Sequence, residues 1–196
     1  MKIGIDVDGV LTNIEKYQLE KGSIFFDKYN KKIVDPKGYE TTTIFDVSSE
    51  LDDLFWNEYY RDYCTNSCCR EYANDVINKL KNEGNEIIII TARSTWIPTD
   101  NSMSREEARN IIINWLKNNN IYYDKIIFSS EDKLDVCKNN NIDLMIEDKV
   151  DNINKISNII PVICFNAGYN EECKGKNIFR AYTWHDIYNI ILDKIK

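Results

Sequence analysis

Proline is scarce in this chain, three residues in 196, while 43% of the residues are apolar. Together these exclude a collagen-like or intrinsically disordered polymer. Missing too is any uninterrupted apolar stretch near the roughly 20 residues that a membrane helix needs, so no bilayer-spanning helix is expected. The opening Met1-Lys2-Ile3-Gly4-Ile5-Asp6 reads as a strand and meets an acid too early for a secretion signal, and a soluble cytoplasmic protein is the expectation. The chain also lacks a basic stripe. Its 25 Lys and Arg stand against 32 Asp and Glu, a net charge of -7, which does not suit neutralising the phosphates of long nucleic acid. A small phosphorylated metabolite stays within reach, because one metal ion and two or three cations accommodate a single phosphate. The six cysteines, Cys64, Cys68, Cys69, Cys137, Cys164 and Cys173, are irregularly spaced and read as free thiols. The crowded Cys64-x-x-x-Cys68-Cys69 group has no matching pair and lies far in sequence from the one histidine, His185, which weighs against a metal centre there. His185, beside Asp186, reads as a surface or capping residue.

What is present points to one sizeable core. Five short apolar runs, Lys2 to Val7, Glu86 to Ile90, Lys125 to Phe128, Asp143 to Ile146 and Pro161 to Phe165, mostly lack polar alternation, as strands of a parallel sheet buried on both faces do. Helix-period segments lie between them. Ser104-Arg105-Glu106-Glu107 has capping-box spacing and leads into Ala108, Ile111, Ile112, Trp115 and Leu116. Further helices are expected after Ser130, over Asn152 to Ile160, and from a Thr183 cap through Ile187, Ile190, Ile191 and Ile195. This rhythm implies an α/β fold with a doubly wound parallel sheet. One interval breaks it. Residues 13–82 show helical periodicity and many aromatics but no buried-strand run, and read as a mostly helical subdomain inserted after the first strand, whose last part, Glu71 to Leu80, feeds the second strand. The core would then be 1–12 and 83–196.

In a doubly wound sheet, ligands bind at the carboxyl ends of the strands. The first strand delivers Asp6-Val7-Asp8-Gly9, and a strand's two-residue period would set Asp6 and Asp8 on one side. The second delivers Thr91-Ala92-Arg93-Ser94, the third Ser129-Ser130-Glu131-Asp132-Lys133, and the fourth Glu147-Asp148-Lys149. So many acids at one edge repel each other. A bound divalent cation relieves this, and oxygen-only donors favour magnesium over zinc. Lys133 and Thr91 add a positive charge and a hydroxyl, so that a phosphoryl group can sit between metal and lysine with a carboxylate placed to attack. Each element alone is an ordinary turn, strand end or solvated acid; their joint appearance at successive strand ends is what carries the functional reading.

These residues resemble a known family. Asp6-Val7-Asp8-Gly9-Val10-Leu11-Thr12 is similar to the first motif of the haloacid dehalogenase-like phosphohydrolases, with Thr91 fitting the second motif, Lys133 the third and Glu147-Asp148 the fourth. The insertion after the first strand matches the superfamily's type-one cap on its Rossmannoid core. More narrowly, Phe55-Trp56, Ile90-Thr91-Ala92-Arg93 and Ile146-Glu147-Asp148-Lys149 resemble the 5'(3')-deoxyribonucleotidase branch and its bacterial nucleotidases. The resemblance implies Asp6 as the nucleophile that forms an aspartyl-phosphate, and Asp8 as the acid for the leaving alkoxide and then the base for water. It implies Mg2+ held by the Asp6 carboxylate, the Asp8 main-chain carbonyl and Asp148. Thr91, Ala92 and Lys133 would bind the phosphoryl oxygens. The family often carries two aspartates in its fourth motif; Glu147 departs from that, and its length suits action through water. An acid at position 8 argues for phosphate ester hydrolysis rather than dehalogenation. Arg93 and Lys149 either steady the substrate phosphate or pair with a neighbouring acid.

The implied activity is that of a magnesium-dependent phosphomonoesterase acting on nucleoside or deoxynucleoside monophosphates. The alternatives are a sugar phosphate or other small phosphoester as substrate, and a receiver-like phosphoacceptor module, which the order of acids and lysine along the chain disfavours. Phe25, Phe55, Trp56 and Tyr59 are expected to build the insertion's own core, with one or two of its aromatics left to face the ligand.

Overall fold

The computed structural model of the chain describes residues 1–98, 103–129 and 133–195. Ser130, Glu131 and Asp132, expected between the third strand and the next helix, lie outside the described residues. In chain order the elements are β1 (Lys2–Ile5), α1 (Ile14–Asp27), α2 (Thr41–Phe45), α3 (Ser49–Asn66), α4 (Ala73–Asn82), β2 (Glu86–Thr91), α5 (Arg105–Asn118), β3 (Lys125–Phe128), α6 (Leu134–Asn140), β4 (Leu144–Glu147), α7 (Val150–Ile156), β5 (Val162–Phe165), β6 (Ile178–Ala181) and α8 (Trp184–Ile190). A single 3-10 turn covers Gly168–Asn170, and a π turn, Ile191–Ile195, extends the last helix.

All six strands pair in parallel, in the order β3-β2-β1-β4-β5-β6. Residue alternation feeds both faces. Ile87 and Ile89 join the cluster formed with Ile3, Ile5, Leu144 and Ile146, while Ile88 and Ile90 join Met145, Val162 and Cys164 on the other face. The first face is covered by α4, α5 and α8, the second by α6 and α7. This two-sided burial explains why the strands read as unbroken apolar runs. Ser104 caps α5 by accepting from Glu107 N, as the spacing predicts, and Thr183 caps α8 as expected, with Asp186 completing a capping box there.

Three boundaries differ from expectation. β6 has no counterpart among the expected runs: it is a four-residue edge strand carrying Arg180, only half-buried over most of its length. The seventh helix runs over Val150–Ile156 rather than Asn152 to Ile160. β1 stops at Ile5, before the two aspartates. Within the inserted region, α1, α2 and α3 gather Phe25, Phe26, Phe45, Phe55, Trp56, Tyr60 and Tyr63 into a cluster of their own, against Met103 and Ala108. The apolar face of α4 (Ala73, Val76, Ile77, Leu80) packs instead with the sheet. Among the described residues, no helix is long and apolar enough to cross a membrane.

Candidate active site

Strand register builds the floor of the site. Ile5 pairs with Ile89 on one side and Ile146 on the other, so the carboxyl ends of β2, β1 and β4 lie side by side. Asp6 N still donates to Ile146 O at 3.1 Å, after which the chain turns, with Leu11 N and Thr12 N both donating to Val7 O. Asp8 therefore lies in a turn, and the strand period expected to align the two carboxylates does not reach it. Gly9 sits at φ +80, and a Cβ there would fall 2.0 Å from Asp148 Oδ2, so the first and fourth loops approach each other only because this residue is glycine. Arg70, just ahead of α4, fastens the turn. Its guanidinium donates to Gly9 O (Nη2, 2.9 Å) and Thr12 O (Nε, 3.2 Å) and lies 4.3 Å over the Phe165 ring.

One half of the site is a buried charge cluster. Lys133 Nζ lies 2.7 Å from Asp6 Oδ1 and 3.0 Å from Glu147 Oε2. Glu147 also accepts from Asp148 N and Lys149 N on Oε1 (3.1 Å each) and from Asn152 Nδ2 at 3.3 Å, so both its oxygens are engaged. Tyr169 OH donates to Asp148 Oδ2, and Asn170 Nδ2 holds the Asp148 main-chain carbonyl at 2.8 Å. Burial, followed by the Glu147 charge, pushes the Asp6 carboxyl well above its ordinary range against the pull of Lys133. Asp148 is raised for the same two reasons, with the Tyr169 bond opposing. Burial would raise Glu147 as well, but the Lys133 charge and hydrogen bond bring it below its usual value. Three carboxylates and one lysine leave surplus negative charge. Oxygens of Asp6, Glu147 and Asp148 lie within 4.8 Å of one another, an all-oxygen set that fits a small hard dication.

The other half centres on Asp8. Arg93 Nε and Nη2 donate to its Oδ1 at 2.9 and 2.7 Å, and Tyr63 OH donates to the same atom at 2.6 Å. Arg93 therefore pairs with an acid, one of the two roles left open for it by sequence. Burial alone would raise Asp8; the Arg93 charge and bonds, joined by Tyr63, hold it below its ordinary value. Thr91 is fully buried at the end of β2, its hydroxyl accepting from Arg93 N at 3.1 Å. Asp6, Asp8, Ala92, Arg93, Lys133, Lys149 and Asn152 line one cavity, together with Tyr39, Trp56, Tyr60 and Trp96. Lys149 Nζ sits 5.1 Å over the Tyr39 ring. Of the expected site residues, Asp6, Asp8, Ala92, Arg93, Lys133 and Lys149 thus meet at one pocket, while Thr91, Glu147 and Asp148 are buried and not part of its lining. His185 is exposed on α8, away from it. The six cysteines are free thiols.

Sequence reasoning missed the parts played by Tyr63, Arg70, Asn152, Tyr169 and Asn170. Tyr63 stood among the insertion's aromatics with nothing to separate it from core residues. Arg70 lies in a connection, Asn152 in α7, and Tyr169 and Asn170 in the 3-10 turn, and the partners of all four are set by tertiary approach rather than by any local pattern.

Known proteins resemble this chain along nearly all of its length. The family described as 5' nucleotidase, deoxy (pyrimidine), cytosolic type C protein matches the chain over residues 1–196. A Bacillus subtilis protein named "Putative nucleotidase YqfW" is 30% identical over 187 residues, 94% of this chain and 90% of that one. A Clostridium acetobutylicum protein named as a nucleotidase is 26% identical over 193 residues, 97% of this chain and 93% of its own length. Among solved structures, a Clostridium difficile protein titled a "Putative Phosphatase" superposes with a TM-score of 0.65 at 15% identity, covering 96% of this chain and 97% of that one. A Clostridium acetobutylicum structure titled a "predicted phosphatase" reaches 0.60 at 19% identity, with 98% of each chain covered, and at such identities the likeness is one of fold.

Proposed function

Since the chain belongs to the family of deoxy (pyrimidine) 5' nucleotidases of cytosolic type C, haloacid dehalogenase-like phosphoric monoester hydrolases, we propose that it hydrolyses nucleoside or deoxynucleoside 5'(3')-monophosphates through an aspartyl-phosphate, with magnesium as its cofactor. The observation that carries this reading is the setting of Asp6: 2.7 Å from Lys133, within reach of the Asp148 and Glu147 oxygens, and lining the same cavity as Asp8.

Asp6 attacks phosphorus and forms the new P–O bond, while the bond to the ester oxygen breaks and Asp8 supplies the proton that oxygen needs. Water then gives its proton to Asp8 and its oxygen to phosphorus, which frees Asp6 and releases phosphate. Lys133 Nζ and the Ala92 backbone bind phosphoryl oxygens. The Thr91 hydroxyl already accepts from Arg93 N, so its own proton is left to donate to the phosphoryl group. Asp6, the Asp8 main-chain carbonyl and Asp148 would hold the ion, which supplies positive charge against the phosphoryl oxygens, with Glu147 behind them. Tyr39, Trp56, Tyr60 and Trp96 give the pocket an aromatic wall, and Trp96 keeps 46% of its surface exposed at the mouth. A nucleobase stacked there would gain about 1–3 kcal/mol.

A panel of nucleoside monophosphates, sugar phosphates and simple phosphate esters, assayed for multiple-turnover phosphate release with Mg2+ and with chelator, tests both parts. Expected are turnover lost with chelator and nucleotides ranking first. A sugar phosphate ranking first removes the nucleotide assignment, and activity indifferent to chelator removes the metal.

A further inference from the structure

Of the contacts around Asp8, the distribution over its two oxygens is the least expected. A carboxylate offers about four lone-pair sites over two oxygens. Here all three side-chain donors, Arg93 Nε, Arg93 Nη2 and Tyr63 OH, fall on Oδ1 within 2.6–2.9 Å, and among the described residues none falls on Oδ2. Arg93 is held from below as well. Its guanidinium stacks 4.7 Å over the Tyr63 ring, and Nη1 reaches the Cys64 carbonyl at 3.4 Å. Tyr63 in turn has its phenol oxygen 2.8 Å from Thr12 Oγ1 and its ring 4.8 Å from that of Tyr17. The Arg93 side chain is 3% exposed while that of Asp8 keeps 26%, so the clamp is buried and the acid faces the cavity.

We propose that Tyr63 and Arg93 are positioning residues which fix Asp8 by Oδ1 and thereby reserve Oδ2 as the oxygen that hands the proton to the leaving group. Arg93 comes from the end of β2, whereas Tyr63 and the Cys64 carbonyl come from the last turns of α3 in the insertion. The acid is therefore set by both parts of the molecule at once, and its aim depends on α3 being docked. The inference rests on the proposed role of Asp8. In the step concerned, the proton leaves Asp8 Oδ2 for the ester oxygen as the P–O bond to that oxygen breaks and the bond from Asp6 forms.

A group that only supports the fold would damage all substrates alike. A group that aims a general acid matters most where the leaving oxygen is basic and must be protonated. The test is kcat/KM with Mg2+ for Tyr63→Phe and Arg93→Lys on 4-nitrophenyl phosphate and on phenyl phosphate, with melting temperatures measured alongside. The first leaving group departs readily as an anion; the second does not. Expected is a loss on phenyl phosphate exceeding that on 4-nitrophenyl phosphate by about tenfold or more in Tyr63→Phe, within the range general acid catalysis supplies. Tyr63→Phe removes one hydroxyl and keeps the ring, so it remains informative should Arg93→Lys fail to fold. Equal losses on both esters, or none, overturn the positioning role while leaving the phosphatase reading in place. A wild-type protein inactive on every phosphate ester overturns both.

Discussion

Asp6 and Asp8 are two residues apart on one loop and line the same cavity, yet they live in opposite electrostatic settings. Asp6 shares its surroundings with two further carboxylates and one lysine, and burial with those like charges pushes its carboxyl up. Asp8 has a buried arginine and a phenol on one oxygen, which outweigh burial and hold its carboxyl down. The proposed roles need the reverse order, a charged Asp6 and a protonated Asp8, which a cation beside Asp6 and an anionic phosphoryl group beside Asp8 would each favour. The Asp6 half keeps surplus negative charge even with Lys133 in place, which the proposed cation would balance; in the Asp8 half the acid is already paired with Arg93. The difference teaches that a carboxylate cluster left short of cations and one matched by its own arginine can share a single pocket.

The harshest way to break the contrast is Asp6→Asn. It removes the attacking oxygen while keeping shape and the bond to Val7 N, so turnover should fall by on the order of 10^4-fold or more, with the fold intact by circular dichroism. Activity within tenfold of wild type would strip Asp6 of the nucleophile's role. Next comes Asp148→Asn, which keeps the partners Tyr169 and Asn170 but removes a charge. The magnesium concentration for half-maximal activity should rise by about 100-fold, and an unchanged titration would place the ion elsewhere.

How much of this was legible before folding differs between the halves. The Asp6 half was readable because its carboxylates stand at strand ends, and strand ends follow from apolar runs such as Glu86–Thr91 and Leu144–Glu147. The Asp8 half was half-readable. Arg93 follows β2 immediately, but its partner acid and Tyr63 are 85 and 30 residues away, and only the packing of α3 against the core brings them together. The period-two argument reached the correct pocket for Asp8 by a wrong route, since the strand stops at Ile5 and a turn pinned by Arg70 does the placing. β6 escaped notice because a short edge strand with a charged residue has no two-sided burial to mark it.

A smaller effect sharpens the comparison through stability. The raised Asp6 and Asp148 carboxyls bind their protons more tightly in the folded chain than in the unfolded one. The stability they contribute is complete below the unfolded value near 4 and is lost as pH rises through their folded values. Asp8 and Glu147 are lowered, so their contribution is lost only on acidification below that value and stays constant at higher pH. Without divalent ions the melting temperature should therefore fall as pH rises above the unfolded carboxyl value near 4. Saturating Mg2+ should remove most of that fall, because the cation takes the place of the protons. A melting temperature that rises with pH in the absence of metal, or that ignores Mg2+ at pH 8, would contradict the charge imbalance assigned to this half.

The mildest expected effect belongs to Tyr169→Phe. The lost hydroxyl donates to Asp148 Oδ2 and holds its carboxyl lower than burial and Glu147 would leave it. Its removal leaves the Asp148 charge in place, so the loss must be smaller than for Asp148→Asn: the half-saturating Mg2+ concentration should rise by about tenfold or less, with kcat at saturating Mg2+ nearly unchanged. The direction with pH is also fixed. With the donor gone, protons compete harder for Asp148, so the variant's deficit should be larger at pH 6 than at pH 8. The substitution keeps the ring against Tyr39, 4.9 Å between centroids in the wild type, which limits the change to the hydroxyl. A deficit that grows toward alkaline pH, or one confined to kcat, would mean that Tyr169 acts on the substrate rather than on Asp148.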